Sequence, residues 1–323
     1  MEHKQVLDKK TAVYTVQKVI SETKKAVIGK DDIIIKIILA ILSKGHVLLE
    51  DIPGVGKTTL AMAFSKALSL ECNRVQFTPD VLPSDIVGFT ILNKATGKFE
   101  YRSGACNCNL FLADEINRTS SKTQSALLEV MEEGRVSVDG VTRELPKPFF
   151  VIATQNPTGS AGTQLLPESQ LDRFMIKLSM GYPDLKSEVN ILKSKSNKNP
   201  LDDVQKITEA EDILLLQNTV ESIHVDDKVY EYVATLSKST RNHEMIKLGV
   251  SPRGTLALMN ISKAVALLKG RNFVIPEDVA FIFKDVVSHR LILSPQARIN
   301  NVTTTELCKD ILKSVPVPEI SKV

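Results

Sequence analysis

The chain predicts an α/β core, a parallel sheet flanked by helices and interrupted by two β-hairpins, followed by a smaller all-helical domain. Three observations carry that prediction. Near-continuous apolar runs recur between helical stretches, at His46–Glu50, Leu110–Asp114 and Phe149–Thr154, as expected of parallel strands buried on both faces. A glycine-rich segment, 51–58, lies between the first run and a stretch rich in Ala and Leu. After Pro183 the apolar spacing becomes helical and stays so, with no clear strand. The expected domains are therefore 1–182 and 183–323.

Composition is consistent with this and excludes little else. The 323 residues are 43% hydrophobic and 24% charged, ordinary for a water-soluble globular chain of about two domains. A formal net charge of +3 is too small to argue for nucleic acid. Tryptophan is absent and aromatic residues make up 5%, so no base-stacking platform is visible. The N-terminal MEHKQVLDKK is charged, and the longest apolar run, Ile33–Leu42, contains Lys36 and is too short to span a bilayer. The expected location is cytoplasmic, without membrane insertion. Cys72, Cys106, Cys108 and Cys308 are expected as free thiols; no nearby Cys or His completes a tetrahedral set around the C-x-C pair.

Taken in order, Asp31 or Asp32 opens a helix through Ile34, Ile37, Ile38, Ile41 and Leu42, stopped by Gly45. Phe89–Arg102 alternates around Thr96-Gly97 as a hairpin. Ser121 and Gln124 fit a capping box before Leu127, Leu128 and Met131, with Gly134 ending the helix. RVSVDGVTRE, 135–144, is a second hairpin. Its Asp139-Gly140 suits a type I′ turn, with Arg135 facing Glu144 and Ser137 facing Thr142. An amphipathic hairpin projecting from an α/β core is more often an interaction device than a core element. Ser251 N-caps a helix with Pro252 in its first turn, running through Leu268 to Gly270, and Pro276 starts another towards His289.

The segment DIPGVGKT matches the phosphate-loop pattern G-x-x-x-x-G-K-[ST] except that Asp51 replaces the first glycine. Backbone N–H groups curled around phosphate oxygens need Gly54 and Gly56. Lys57 supplies charge for the β- and γ-phosphates, and Thr58 a hydroxyl for Mg²⁺. Aspartate tolerates turn conformations at the strand exit, so its presence need not remove phosphate contacts. A tight Gly-Pro turn with a solvated lysine would leave the same residues. Asp114 and Glu115 end a buried strand, where a parallel sheet binds ligands. Asp114 fits a water-mediated Mg²⁺ contact and Glu115 a base for attacking water; two carboxylates capping the next helix is the plainer alternative. Asn156 ends the third strand and can orient water, or simply make the turn before Pro157. Arg173 in LDRF and Arg253 in SPRG suit phosphoryl-charge stabilisation, or surface ion pairs; spacing does not decide.

These segments, with VIGK at 27–30, VQFTPDVLPSDIVGF, KTQSALLEVMEEGRVSVDGVTRELP, LPESQLDRF and GYP, resemble the MoxR family of AAA+ ATPases over most of residues 25–183 and on through SPRG. The resemblance implies an AAA+ core and helical lid, ATP and Mg²⁺ as cofactors, and an active loop despite Asp51. It implies that Gly29, Pro53, Gly54, Val55, Gly56, Lys57, Thr58, Thr59 and Asp114 bind the nucleotide, Thr58 and Asp114 reaching its metal. Asp114 and Glu115 would be the Walker B pair and Asn156 sensor 1. Arg253 would be sensor 2 on the γ-phosphate, and Arg173 the arginine finger for a neighbour. Gln76 stands where a polar residue can restrain Glu115. The hairpins correspond to the helix-2 and pre-sensor-1 inserts. RSGACNCNL, 102–110, departs from the family by lacking the usual proline and apolar residues.

The implied function is a ring-forming, chaperone-like ATPase, six subunits by expectation. It would remodel or activate a partner, expected to carry a von Willebrand factor A domain, or aid metal cofactor insertion. Alternatives are a DNA-acting AAA+ motor, a chelatase-type subunit, or a nucleotide-binding scaffold. Arg135 and Arg143 of the second hairpin are offset by Asp139 and Glu144, which makes nucleic acid an unlikely partner. A scaffold has no need of the Asp114–Glu115 pair.

Overall fold

Helix α1 (Lys9–Ala26) and helix α2 (Asp31–Leu42) precede strand β1 (Val47–Glu50), which leads through the glycine-rich loop into α3 (Lys57–Leu68) and β2 (Cys72–Gln76). Then come α4 (Pro83–Val87), the hairpin β3 (Gly88–Asn93) and β4 (Lys98–Ser103), β5 (Leu110–Asp114), a 3₁₀ turn at Ile116–Arg118, and α5 (Ser121–Glu133). A second hairpin, β6 (Arg135–Val138) and β7 (Val141–Glu144), precedes β8 (Phe150–Gln155), α6 (Glu168–Leu171) and β9 (Ile176–Leu178). The remainder is α7 (Leu185–Lys195), α8 (Ala210–Glu221), α9 (Asp227–Arg241), β10 (Ile246–Leu248), α10 (Pro252–Leu268), α11 (Pro276–Val287), β11 (Ile292–Leu293), α12 (Pro295–Ile299) and α13 (Thr304–Ser314). This computed structural model describes residues 5–51, 54–156, 166–195 and 199–319.

The central sheet has strand order β2-β5-β8-β1-β9, all parallel. β5 and β8 are buried along their whole length, which is why they read as continuous apolar runs. Their residues still alternate between two cores. Leu110, Leu112, Phe150 and Ile152 face one; Phe111, Ala113, Val151 and Ala153 face the other. β2 and β9 lie at the edges. β2 carries Asn73, Arg74 and Gln76 on a half-covered surface, so it left no apolar signature.

The first core runs from the sheet through α1, α2 and α3 into α8, α10 and α11. α2 is buried nearly all round because α1, α8 and α10 surround it. α1 was not expected; Asp8 caps it by accepting from Thr11 N, and Ala12, Val16, Val19 and Ile20 form its buried stripe. The second core explains the departure at 102–110. Cys106 and Cys108 are buried there beside Phe77 and Ile86, filling apolar positions, and burial pushes both thiols up to about 12. Gly104 permits the close approach: a Cβ would stand 2.2 Å from the Ile86 carbonyl oxygen.

The second hairpin has the expected register, Arg135 opposite Glu144 and Ser137 opposite Thr142, and Asp139 and Gly140 both have positive φ. Two expectations are corrected. The α5 cap is Ser120, whose hydroxyl accepts from Thr123 N, and Gln124 instead donates to the Ile116 and Thr119 carbonyls. The helical region also holds the antiparallel β10–β11 ribbon, too short to leave a period-2 pattern. Among the described residues no helix is long and apolar enough to cross a membrane.

Candidate active site

The loop after β1 opens at the C-terminal edge of the sheet. Gly54 and Gly56 have φ of +86° and +94°, backbone that side chains strain to adopt. Among the described residues a Cβ on either would meet no atom within 4 Å, which leaves room for a phosphate chain to approach these amides. Gly56 caps α3, whose N-terminus faces the same place. Val55, Thr58 and Thr59 are half-buried around it. Pro53 lies outside the described residues. Lys57 is buried, and its Nζ donates to the Asp51 carbonyl at 3.0 Å. Burial lowers its pKa, while Asp114, Asp51 and Glu115 act in the opposite direction.

Asp51 stands there for its carboxylate, which turn tolerance alone does not explain. That buried group accepts from the Met180 and Gly181 amides and the Ser179 hydroxyl. It thereby staples the exit of β1 to the exit of β9. Lys30 completes the clamp from the other side, donating to the carbonyls of Met180, Gly181 and Tyr182. Gly29 is needed for contact as well as for its φ of +72°: a Cβ would lie 2.2 Å from Ser187 Oγ in the first turn of α7.

Asp114 and Glu115 are held by neighbours that the sequence reading missed. Thr154 Oγ donates to Asp114 Oδ1 at 2.6 Å and accepts from Glu115 N at 2.8 Å. Arg74 on the edge strand donates to Asp114 Oδ2 at 2.7 Å. Glu115 has φ +57°, and its Oε2 accepts from Arg118 at 2.8 Å. The expected restraint of Glu115 by Gln76 is corrected: Gln76 accepts from Arg74 instead. Asn156 follows β8 with its carbonyl accepting from Asn117 Nδ2. Lys57, Thr58, Asp114, Glu115 and Asn156 thus gather at one edge of the sheet. The Thr58 hydroxyl and Asp114 carboxylate are hard oxygen donors of the kind Mg²⁺ takes while keeping several waters, so the residues present fit that ion.

Arg173 and Arg253 are elsewhere. Both line a cavity of about 620 Å³ with Gly45 and His46, which precede β1. They lie at the N-terminal edge, a strand's length away, ~13 Å at the usual rise of a strand. Arg253 thus stands with Arg173, apart from Lys57, Asp114 and Glu115. Glu132, near the end of α5, joins the two: it lies 3.3 Å from Arg173 Nε and accepts from Arg253 Nη2.

Behind them Arg290, buried, donates to Asp172 Oδ1 at 2.7 Å and to the carbonyls of Asp172, Phe174 and Met175. Ser251, the cap of α10, donates to Asp172 Oδ2 at 2.7 Å. The helical region therefore grips the backbone on both sides of Arg173. A signal for Arg290 existed: His289-Arg290 sits inside the apolar stretch Val286–Leu293. Nothing in the spacing pointed to Glu132. His46 closes this edge. Val151 N donates to its Nδ1, so Nε2 carries the hydrogen and donates to the Met131 carbonyl.

Comparison with known proteins accords with this architecture. Residues 46–176 match the ATPase family associated with various cellular activities (AAA), and residues 238–311 match an AAA lid domain. The chain is 46% identical to the uncharacterized protein YeaC of Bacillus subtilis, over 93% of this chain and 94% of that one. It is 37% identical to the chaperone MoxR1 of Mycobacterium tuberculosis, over 96% of this chain and 84% of that one. A crystal structure of a candidate ATPase from Cytophaga hutchinsonii superposes with a TM-score of 0.90 at 36% identity, covering 96% and 97% of the two chains.

Proposed function

Because the chain belongs to the MoxR family of AAA ATPases, we propose that it hydrolyses ATP with Mg²⁺ in a ring, where Arg173 and Arg253 of one subunit complete the site opened by the phosphate loop of the next. The carrying observation is the split itself. Lys57, Asp114 and Glu115 sit at one edge of the sheet, and both arginines at the other, around an open cavity. A single chain does not close over its own nucleotide with both sets.

In this reading the loop amides and Lys57 hold the β- and γ-phosphates. Thr58 and Asp114 hold the metal, which neutralises phosphate charge. Glu115 leaves Arg118 to accept a proton from the attacking water, which Asn156 orients. The neighbour's arginines stabilise charge on the transferred phosphoryl group. The α/β part to residue 182 and the helical part from 183 are the two working bodies. Six subunits, a cytoplasmic setting and chaperone-like remodelling of a partner bearing a von Willebrand factor A domain complete the proposal; the name of MoxR1 supports the chaperone element. The DNA-motor alternative is disfavoured because Arg135 pairs with Glu133 and Arg143 stacks 3.9 Å over Tyr101.

The test is ATP turnover per subunit against protein concentration with Mg²⁺. Turnover should rise steeply as rings assemble. Arg173→Ala should lower kcat by ~10³–10⁵-fold, the range of an arginine finger, with ATP affinity kept. A substantial rate that stays flat down to monomer concentrations overturns the ring reading.

A further inference from the structure

We propose that Glu132 is a positioning residue that binds Arg173 and Arg253 into a single phosphate-reading pair; this rests on the reading that both arginines serve a neighbour's nucleotide. The two side chains come from separate elements, one just after α6 and one in the first turn of α10. Their backbones are already fixed to each other. Arg290 and Ser251 grip Asp172, and Ser251 also caps the helix that carries Arg253. What remains loose is the direction of two long, partly exposed side chains, each with considerable rotamer freedom. One carboxylate removes that freedom for both.

The atoms used support positioning over simple neutralisation. Glu132 meets Arg173 through Nε. Among the described residues no hydrogen bond engages the Nη1 or Nη2 atoms of Arg173, which are the pair that reads phosphate bidentately. Arg253 is held by Nη2, so Glu132 does not take its Nη1 hydrogens, which point to the opposite side of the group. Two guanidinium groups against one carboxylate keep a net positive charge facing the cavity. Without Glu132 the two cations repel and separate.

The experiment uses mixed rings. Lys57→Ala chains cannot hold ATP but offer arginines. Arg173→Ala/Arg253→Ala chains hold ATP but offer none. Each alone should be nearly inactive, and mixing them should restore turnover. Glu132→Ala is then introduced into the arginine-donating chain only, at protein concentrations where rings are fully assembled. We expect kcat of the mixture to fall by at least ~10-fold, since misplacement by about an ångström is that damaging. KM for ATP should not move, because the binding chain is unaltered. Glu132→Gln, which keeps an acceptor oxygen, should retain more turnover than Glu132→Ala. Full turnover with the Glu132→Ala donor overturns the proposal and leaves the shared-site reading standing. If mixing restores nothing even with Glu132 intact, the shared-site reading itself fails, and the role of Glu132 falls with it.

Discussion

At the C-terminal edge of the sheet, the functional side chains hang from strands already locked by backbone hydrogen bonds. Gln76 is registered with Asp114, and Ala113 with Ala153, so Asp114, Glu115 and Thr154 fall together once the sheet forms. At the N-terminal edge no such ladder exists. Arg173, Arg253 and Glu132 come from a loop and two helices, and side-chain clasps hold them: Arg290 and Ser251 on Asp172, Glu132 on the arginines. The contrast teaches that register gives precision to one half of the site, while the other depends on a buried arginine. The helix α5 spans the two, tied to Ile116 by Gln124 at one end and to the arginines by Glu132 at the other.

The contrast is sharpest in Glu115→Gln. It keeps the side-chain size at the C-terminal edge, loosens the ion pair with Arg118 and removes the proposed base, so kcat should fall ~10²–10⁴-fold with ATP binding retained. Turnover measured beside nucleotide titration checks this, and near-normal turnover removes the role given to Glu115. Asp51→Gly restores the missing motif glycine but leaves the buried Met180 amide without its acceptor. Denaturant unfolding should show a loss of about 1–3 kcal/mol. If the variant is as stable as the parent, the staple between β1 and β9 contributes nothing.

The N-terminal edge carries a pH signature. Burial pushes His46 down to about 4, against the pull of the Met131 carbonyl, and the unfolded value is about 6.5. Above pH 6.5 the ring is neutral in both states and stability is full. Between 6.5 and 4 the unfolded chain takes up a proton that the folded chain refuses. Stability should therefore drop by about 2 kcal/mol at pH 5, then level off below 4. His289, also buried and depressed, acts in the same direction. Unfolding at pH 7 and pH 5 should show a smaller pH loss for His46→Gln than for the parent; equal losses argue against a buried neutral His46.

Much of the first edge was legible. Gly54, Gly56, Lys57, Asp114 and Glu115 lie in continuous segments beside apolar strands, and their chemistry follows from local order. The edge strand β2 was not legible, because a half-covered strand needs few apolar residues, and with it Arg74 was missed. Gln76 and Arg118 suit Glu115 equally in sequence, and only the fold places Arg118 at 2.8 Å from it.

By itself the sequence determined the class of fold, the register of the second hairpin, and the strand-end segments that carry Lys57, Asp114 and Glu115, since each rests on contacts between near neighbours or on a strand's own periodicity. Only the tertiary structure decided what Asp51 does, where Arg253 goes and what joins it to Arg173. Those outcomes depend on residues more than forty positions apart meeting across a folded core, and no periodicity along the chain encodes such a meeting.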